Sequence, residues 1–302
     1  MNIYSQIPEL KSTAVALGCF DGIHLGHKAV IEMLNLPGFK NLNKAVFSFS
    51  DAPAFKKGAE SIASFDDKCE ILSEMGVREL ILPSFDSVRD YSPEVFFSEI
   101  LINRLDARLL VCGENYRFGR RATGDCGLLR KLCAEQGIDC IVVPSVMYGG
   151  KMISSSRIRA ALTCGDIKSA TDMLGRQFSY CFEVVHGRKL GRLLGTPTIN
   201  QFFPKNYLIP AYGVYASITD IDGRKYPSVT NIGIKPTVGS DEPLSETWII
   251  GYDGGDLYGK FIRVSLVGYM RKECKFSSID ALKLAIHSDG VKSVSLTSQF
   301  LK

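Results

Sequence analysis

The sequence predicts an α/β chain in two parts. A parallel sheet with helices on both faces comes first, and an antiparallel β-barrel with a terminal helix follows. Three observations predict it. In the first half, short apolar runs alternate with helical stretches, as in successive βαβ units. Near residue 175 this gives way to short β-rich segments separated by turns such as Asp222-Gly223 and Gly254-Gly255. A length of 302 residues suits roughly two domains. The boundary is expected between Leu174 and Tyr180, giving domains of 1–177 and 178–302.

In the first half, strands are expected at Thr13–Gly18, Ala45–Phe49, Glu79–Leu82, Leu109–Gly113 and Cys140–Val143. Helices are expected at Lys28–Asn35, Phe65–Met75, Pro93–Leu105, Gly127–Glu135 and Ser156–Leu162. Ser92-Pro93 supplies a cap and then a proline at the first helical position. The second half offers strands at Tyr180–Val185, Gly213–Thr219, Tyr226–Ile232, Glu246–Tyr252 and Phe261–Gly268. Such spacing points to a barrel or sandwich. A closing helix is expected from about Ser278 to His287, with Leu282, Ala285 and Ile286 on one face.

Composition narrows the function classes. Apolar residues make up 45% and charged residues 23%, so each half can bury a core. A net charge of +4, from 36 basic and 32 acidic residues, is too mild to argue for a nucleic-acid partner. No run approaches the ~18 apolar residues of a membrane helix, and the N-terminus lacks the pattern of a signal peptide. Nine cysteines without a Cys-x-x-Cys pair, and only four histidines, argue for reduced thiols in a cytoplasmic protein. Cys126, Cys133 and Cys140 repeat every seven residues and read as small apolar side chains on a buried face.

Three stretches of the first half carry chemistry. Gly18-Cys19-Phe20-Asp21-Gly22-Ile23-His24-Leu25-Gly26-His27 leads from a strand into a helix start, where unpaired N–H groups favour anions. His24 and His27 are one helical turn apart, so they can sit side by side and bind phosphate by hydrogen bonds, or by charge if protonated. Alone, the stretch also reads as a tight turn with two surface histidines. Gly113-Glu114-Asn115-Tyr116-Arg117-Phe118-Gly119-Arg120-Arg121 mixes glycines, aromatics and arginines after a strand. It also reads as a basic surface loop. Ile153-Ser154-Ser155-Ser156-Arg157-Ile158-Arg159 opens a helix with hydroxyls suited to phosphate, or merely caps it. Ligands of open α/β sheets bind at the carboxyl ends of strands, so the first two stretches are expected at one rim.

The first stretch resembles the HxGH nucleotidylyltransferase motif, and Ile153–Arg159 resembles the ISSTxIR motif with Ser156 in the threonine place. The first half is similar to the FMN adenylyltransferase domain of bacterial bifunctional FAD synthetases, whose sheet is Rossmann-like. The resemblance implies AMP transfer from ATP to FMN with release of pyrophosphate. It implies that His24, His27 and Arg159 act on the phosphates, with Gly18, Phe20, Gly22, Gly26, Ser155 and Ser156 binding ATP and Asn115, Phe118 and Arg121 holding flavin. Cys19 stands where the family usually has Asn, Ala52 where it has the His of Pro-His-Pro, and Asn115 where it has Asp.

The second half holds His186-Gly187-Arg188-Lys189-Leu190-Gly191-Arg192-Leu193-Leu194-Gly195-Thr196-Pro197-Thr198-Ile199-Asn200, a glycine-rich basic loop able to cradle phosphates. Thr198 and Asn200 alternate on an extended segment, so both can offer oxygen to one metal ion. Asn231 begins a polar loop, and Glu246 heads the next strand, a place where a glutamate is commonly just solvated. The loop, with Pro210–Ala216, Asp256-Leu257-Tyr258-Gly259 and Met270–Phe276, resembles the riboflavin kinase domain of the same family. The resemblance implies Mg2+ and ATP phosphates at Thr198 and Asn200, phosphate contacts at Gly187, Gly191, Arg192 and Gly195, and flavin at Asn231. Glu246 becomes the base for the ribityl hydroxyl. Trp248 stands where the family has the His of Glu-Thr-His.

The main expectation is therefore an enzyme making FMN and then FAD from riboflavin and ATP, acting on small molecules without a membrane or nucleic-acid partner, as a monomer or weak homo-oligomer. Two alternatives stand beside it. One is a riboflavin kinase whose first domain is weak or serves another acceptor. The other is a non-catalytic flavin-binding regulator.

Overall fold

The structure, a computed structural model, describes residues 1–51, 58–187, 191, 195–234 and 242–301. Ala52, Arg188, Lys189 and Arg192 lie outside the described residues. The chain packs as two compact units, residues 1–61 with 65–155, and residues 62–64 with 156 onward.

The first unit contains β1 (Asn2–Tyr4), β2 (Thr13–Leu17), α1 (Leu25–Glu32), β3 (Asn43–Phe47), α2 (Phe65–Glu74) and β4 (Glu79–Ile81). After α3 (Pro93–Val95) a π-helical stretch, Phe96–Arg104, leads into β5 (Ala107–Gly113). Then come the small hairpin β6 (Arg117–Phe118) and β7 (Gly124–Asp125), α4 (Cys126–Glu135) and β8 (Asp139–Val143). The pair β9 (Met147–Tyr148) and β10 (Lys151–Met152) precedes α5 (Ser155–Cys164).

Six strands form one parallel sheet in the order β1-β4-β3-β2-β5-β8. Alternation along the strands feeds two cores. Val15, Leu17, Ala45, Phe47 and Leu110 face one, whereas Ala14, Ala16, Val46, Leu109 and Val111 face the other. Helices on both faces are thus a direct result of strands that carry near-continuous apolar runs. Cys133 is buried in the first core, with Cys126 and Cys140 packed against it. The cap read at Ser92 forms, its hydroxyl accepting from the Val95 N–H at 3.2 Å.

The second unit contains α6 (Ile167–Leu174), β11 (Phe178–Glu183), β12 (Thr198–Phe202), β13 (Gly213–Ile221), β14 (Arg224–Ile234), β15 (Pro243–Ile249), β16 (Phe261–Arg271) and α7 (Ile279–Thr297). The strands pair antiparallel in the order β11-β16-β13-β14-β15-β12. The ends meet: Val185, just beyond β11, bridges to Asn200 of β12. Gln201 Nε2 also donates to the Phe182 and Ile262 carbonyls at 2.7 and 2.8 Å. One face carries a buried hydroxyl ladder, in which Ser217–Thr230 and Thr230–Thr247 are each 2.8 Å apart.

Helices α5 and α6 pack with this barrel. The Ala211 N–H donates to the Leu162 carbonyl at 3.0 Å, and α6 lies against β11 and β16. The packing units therefore divide near residue 155, ahead of the 177/178 partition read from strand periodicity. The closing helix also runs ten residues beyond His287, to Thr297.

Candidate functional site

The first candidate site lies at the carboxyl ends of β2 and β5, which are neighbours in the sheet. A cavity of about 1030 Å³ opens there. Gly18, Cys19, Phe20, His24, Gly26 and His27 line it together with Asn115, Phe118, Arg121 and Ser155. Two of the three predicted stretches and the start of the third thus meet at one rim. Gly22 is not among the lining residues; it is buried in the turn at φ 74. Ser156 and Arg159 belong to α5 beyond Ser155, within the second packing unit.

His24 caps α1. Its Nδ1 accepts from the His27 N–H at 3.3 Å, and its own backbone is extended. The two imidazoles stack with centroids 3.6 Å apart at 17°. Phe20 meets His27 edge-on at 5.3 Å. Burial, the neighbouring His24 and the Lys68 ammonium hold His27 well below the usual imidazole range. His27 is therefore neutral at neutral pH. A neutral imidazole can meet an anion through hydrogen bonding rather than through charge. Among the described residues, the Nδ1 of His27 is buried without a protein partner.

Phe49, Phe85 and Phe96, which the sequence did not single out, extend the aromatic wall that Phe20 and Phe118 begin in the cavity. Phe49, just past β3, and Phe85, just past β4, meet edge-on at 5.2 Å, and both line it with Phe96. Tyr116 and Phe118 stack at 5.8 Å beside them. The signal that could have found these residues was positional, since they follow or face carboxyl ends of strands. Asn115 is exposed at the rim, its Nδ2 3.8 Å from the Met152 sulfur.

The second candidate site is a row across the barrel sheet. Asn200 of β12 lies opposite Glu246 of β15, and Glu246 lies opposite Asn231 of β14. Directly opposed residues project from the same face, so three polar side chains share one patch. Thr198 lies on that face two residues from Asn200, opposite Trp248. Asn231 Nδ2 donates to Glu273 Oε1 at 2.9 Å, while its Oδ1 is buried and has no partner among the described residues. Gly187 lies against this row: a Cβ there would sit 2.4 Å from Asn200 Nδ2. Gly191 is equally tight, 2.4 Å from the Thr196 carbonyl oxygen, and Gly195 takes a left-handed φ of 75. Thr198 and Asn200 offer the hydroxyl and amide oxygens that suit a hard divalent cation, and the missing Cβ at Gly187 keeps the approach to Asn200 clear.

Two family models match the chain: FAD synthetase over residues 6–157 and riboflavin kinase over 174–296. A bifunctional riboflavin kinase/FMN adenylyltransferase of Pseudomonas fluorescens is 32% identical over 288 residues, covering 93% of this chain and 92% of its own. The chain belongs to the bifunctional riboflavin kinase/FMN adenylyltransferase family. An Escherichia coli K12 relative of the same description is 34% identical over 292 residues, with 94% and 92% covered. Among solved structures, a Streptococcus pneumoniae protein described as a macrolide-efflux protein superimposes with a TM-score of 0.85 at 29% identity, covering 97% of both chains. Among the described residues of this family member, no helix is long and apolar enough to cross a membrane.

The departures from the family pattern have distinct settings. Ala52 lies outside the described residues. Cys19 contributes a main-chain carbonyl that accepts from the Ser48 hydroxyl at 2.8 Å. Trp248 packs under α7: a Cβ on Gly290 would be 2.6 Å from its ring, and His287 meets it edge-on at 5.9 Å. An imidazole thus remains beside Trp248, supplied by the helix that sequence reading ended at this residue.

Proposed function

We propose that this chain makes FAD in two reactions run by separate sets of residues: phosphorylation of riboflavin to FMN, then AMP transfer from a second ATP to FMN. Domains 178–302 and 1–177, respectively, are assigned to these steps. The cross-strand row Asn200–Glu246–Asn231 carries the kinase assignment, because it sets a carboxylate between two amides on one face. Glu246 accepts the proton of the ribityl hydroxyl as its oxygen bonds to the γ-phosphorus of ATP and ADP leaves. Asn231, whose Oδ1 has no partner among the described residues, orients the flavin chain.

Thr198 and Asn200 would hold Mg2+ together with the ATP phosphates. The ion, when bound, neutralises phosphate charge. Gly187, Gly191, Arg192 and Gly195 belong to the ATP loop.

In the first cavity, a phosphate oxygen of FMN attacks the α-phosphorus of ATP and pyrophosphate departs. This needs alignment and charge neutralisation rather than an enzyme nucleophile. Neutral His27, with His24 stacked against it, holds phosphate oxygens by hydrogen bonds. Gly18, Phe20, Gly26 and Ser155 shape the ATP side, whereas Asn115, Phe118 and Arg121 face the flavin. Gly22, Ser156 and Arg159 are assigned to the same step by their motifs. The enzyme is assigned to the cytoplasm as a monomer or weak homo-oligomer.

Product chromatography tests the reading. With ATP and magnesium, riboflavin should yield FMN and FAD, and supplied FMN should yield FAD. FMN alone from riboflavin would favour a kinase with an inactive first site, and unchanged riboflavin would remove both assignments.

A further inference from the structure

Lys68 lies in α2, half-buried and behind the wall of the first cavity. Its Nζ is 3.4 Å from the Cys19 carbonyl oxygen and 3.4 Å from Ser48 Oγ. Ser48 is itself 1% exposed and donates its hydroxyl to the same carbonyl at 2.8 Å. Burial pulls the lysine pKa down, while the Asp21 carboxylate opposes that pull and keeps an ammonium there. Desolvating an ammonium is costly, so the position calls for something that it holds.

What it holds is one peptide group. Two donors grip the Cys19 carbonyl from the side of β3 and α2. A trans peptide points its carbonyl and its N–H in opposite directions. Cys19 and Phe20 both line the cavity, and among the described residues the Phe20 N–H donates to no protein acceptor. Phe20 itself adopts a left-handed φ of 48, and its ring is 1% exposed, so packing fixes this conformation.

We propose that Lys68, together with Ser48, is a positioning residue of adenylyl transfer: it turns the Cys19–Phe20 peptide so that the Phe20 N–H donates into the cavity to a nucleotide phosphate oxygen. The proposal rests on the reading of this cavity as the AMP-transfer site. A fixed backbone donor aimed at developing phosphate charge needs no reorganisation at the moment of reaction. The half-buried ammonium behind it adds positive potential without occupying space in the cavity.

The test uses the full chain labelled with 15N-phenylalanine, the Phe20 amide being assigned by its loss in Phe20→Leu. Inorganic pyrophosphate is titrated in. The Phe20 amide should shift on binding, and Lys68→Met should weaken that response while lowering FAD formation from FMN roughly tenfold or more. Lys68→Arg should restore part of both, and riboflavin phosphorylation should stay unchanged, reporting a folded chain. Should Lys68→Met fail to fold, Ser48→Ala removes the shorter grip and should act in the same direction. A Phe20 amide that ignores pyrophosphate, or that responds equally in Lys68→Met, would overturn the proposal. A Phe20 response without FAD formation would instead remove the activity assigned to the cavity and leave the peptide geometry standing.

Discussion

Asn200 and Glu246 face each other directly across the β12–β15 ladder, and Asn231 faces Glu246 from the other side. A carboxylate at a strand start reads in sequence as solvated. Its placement between two amides supports the proposed role of Glu246 as the base of the kinase step. Glu246→Ala should therefore lower riboflavin phosphorylation by roughly a hundredfold or more, the scale of a lost general base. FAD formation from supplied FMN should persist, and flavin chromatography with each substrate separates the two effects.

His27 predicts a pH effect of definite sign. Its folded pKa lies well below the ordinary imidazole value, chiefly through burial. The unfolded chain takes up this proton near pH ~6.5 and the folded chain does not, so stability is present at higher pH and is lost as pH falls through that value. The slope from this one group approaches about 1.4 kcal/mol per pH unit between the two pKa values. NMR titration of the imidazole should find it neutral at pH 6, and calorimetry should show a midpoint falling toward acid that is less steep in His27→Gln.

Gly187 has no room for a side chain. A Cβ there would sit 2.4 Å from Asn200 Nδ2, whose residue is buried and opposite Glu246. Gly187→Ala should swing Asn200 out of the row. The expected outcome is a KM for ATP raised several-fold in the kinase step, about 1 kcal/mol, with FAD formation from FMN unchanged. Steady-state kinetics on each flavin measure it.

Much of this arrangement was legible in the chain, and the misses have physical causes. The strands delivering His24 and Asn115 announce themselves because both their faces are buried, leaving near-continuous apolar runs at residues 14–17 and 109–112. Strand β1 hides because three residues with exposed neighbours carry no periodicity. The closing helix continues past the expected end at His287, through Ser288, Gly290, Ser293 and Ser295, residues of modest helix propensity that packing retains. Three of its small residues are contacts. Gly290 admits the Trp248 ring, Ser293 donates to the Ser228 carbonyl at 2.5 Å, and Thr297 donates to the Ser293 carbonyl at 2.7 Å. The site residues were recognised as separate motifs. The row uniting Asn200, Glu246 and Asn231 depends on strand register, which spacing along the chain does not encode.

The same helix gives a stability prediction. Gly290→Ala would place a methyl 2.6 Å from the Trp248 ring. The helix cannot easily retreat, because Arg271 and the buried Asp289 pair at 2.7 Å one residue away. Overpacking of about 1–3 kcal/mol should exceed the gain of up to ~1 kcal/mol from replacing a helical glycine. Thermal unfolding should show a lower midpoint for Gly290→Ala, partly restored in Gly290→Ala with Trp248→Phe.

The central claim is that one chain houses two independent reactions joined by FMN. Mixing purified Glu246→Ala with purified His27→Ala, and supplying riboflavin, ATP and magnesium, tests it most directly. Each variant alone should fail to make FAD, the first leaving riboflavin and the second stopping at FMN, and the mixture should produce FAD. A mixture of two folded variants that accumulates FMN without FAD, or that leaves riboflavin untouched, would contradict the account.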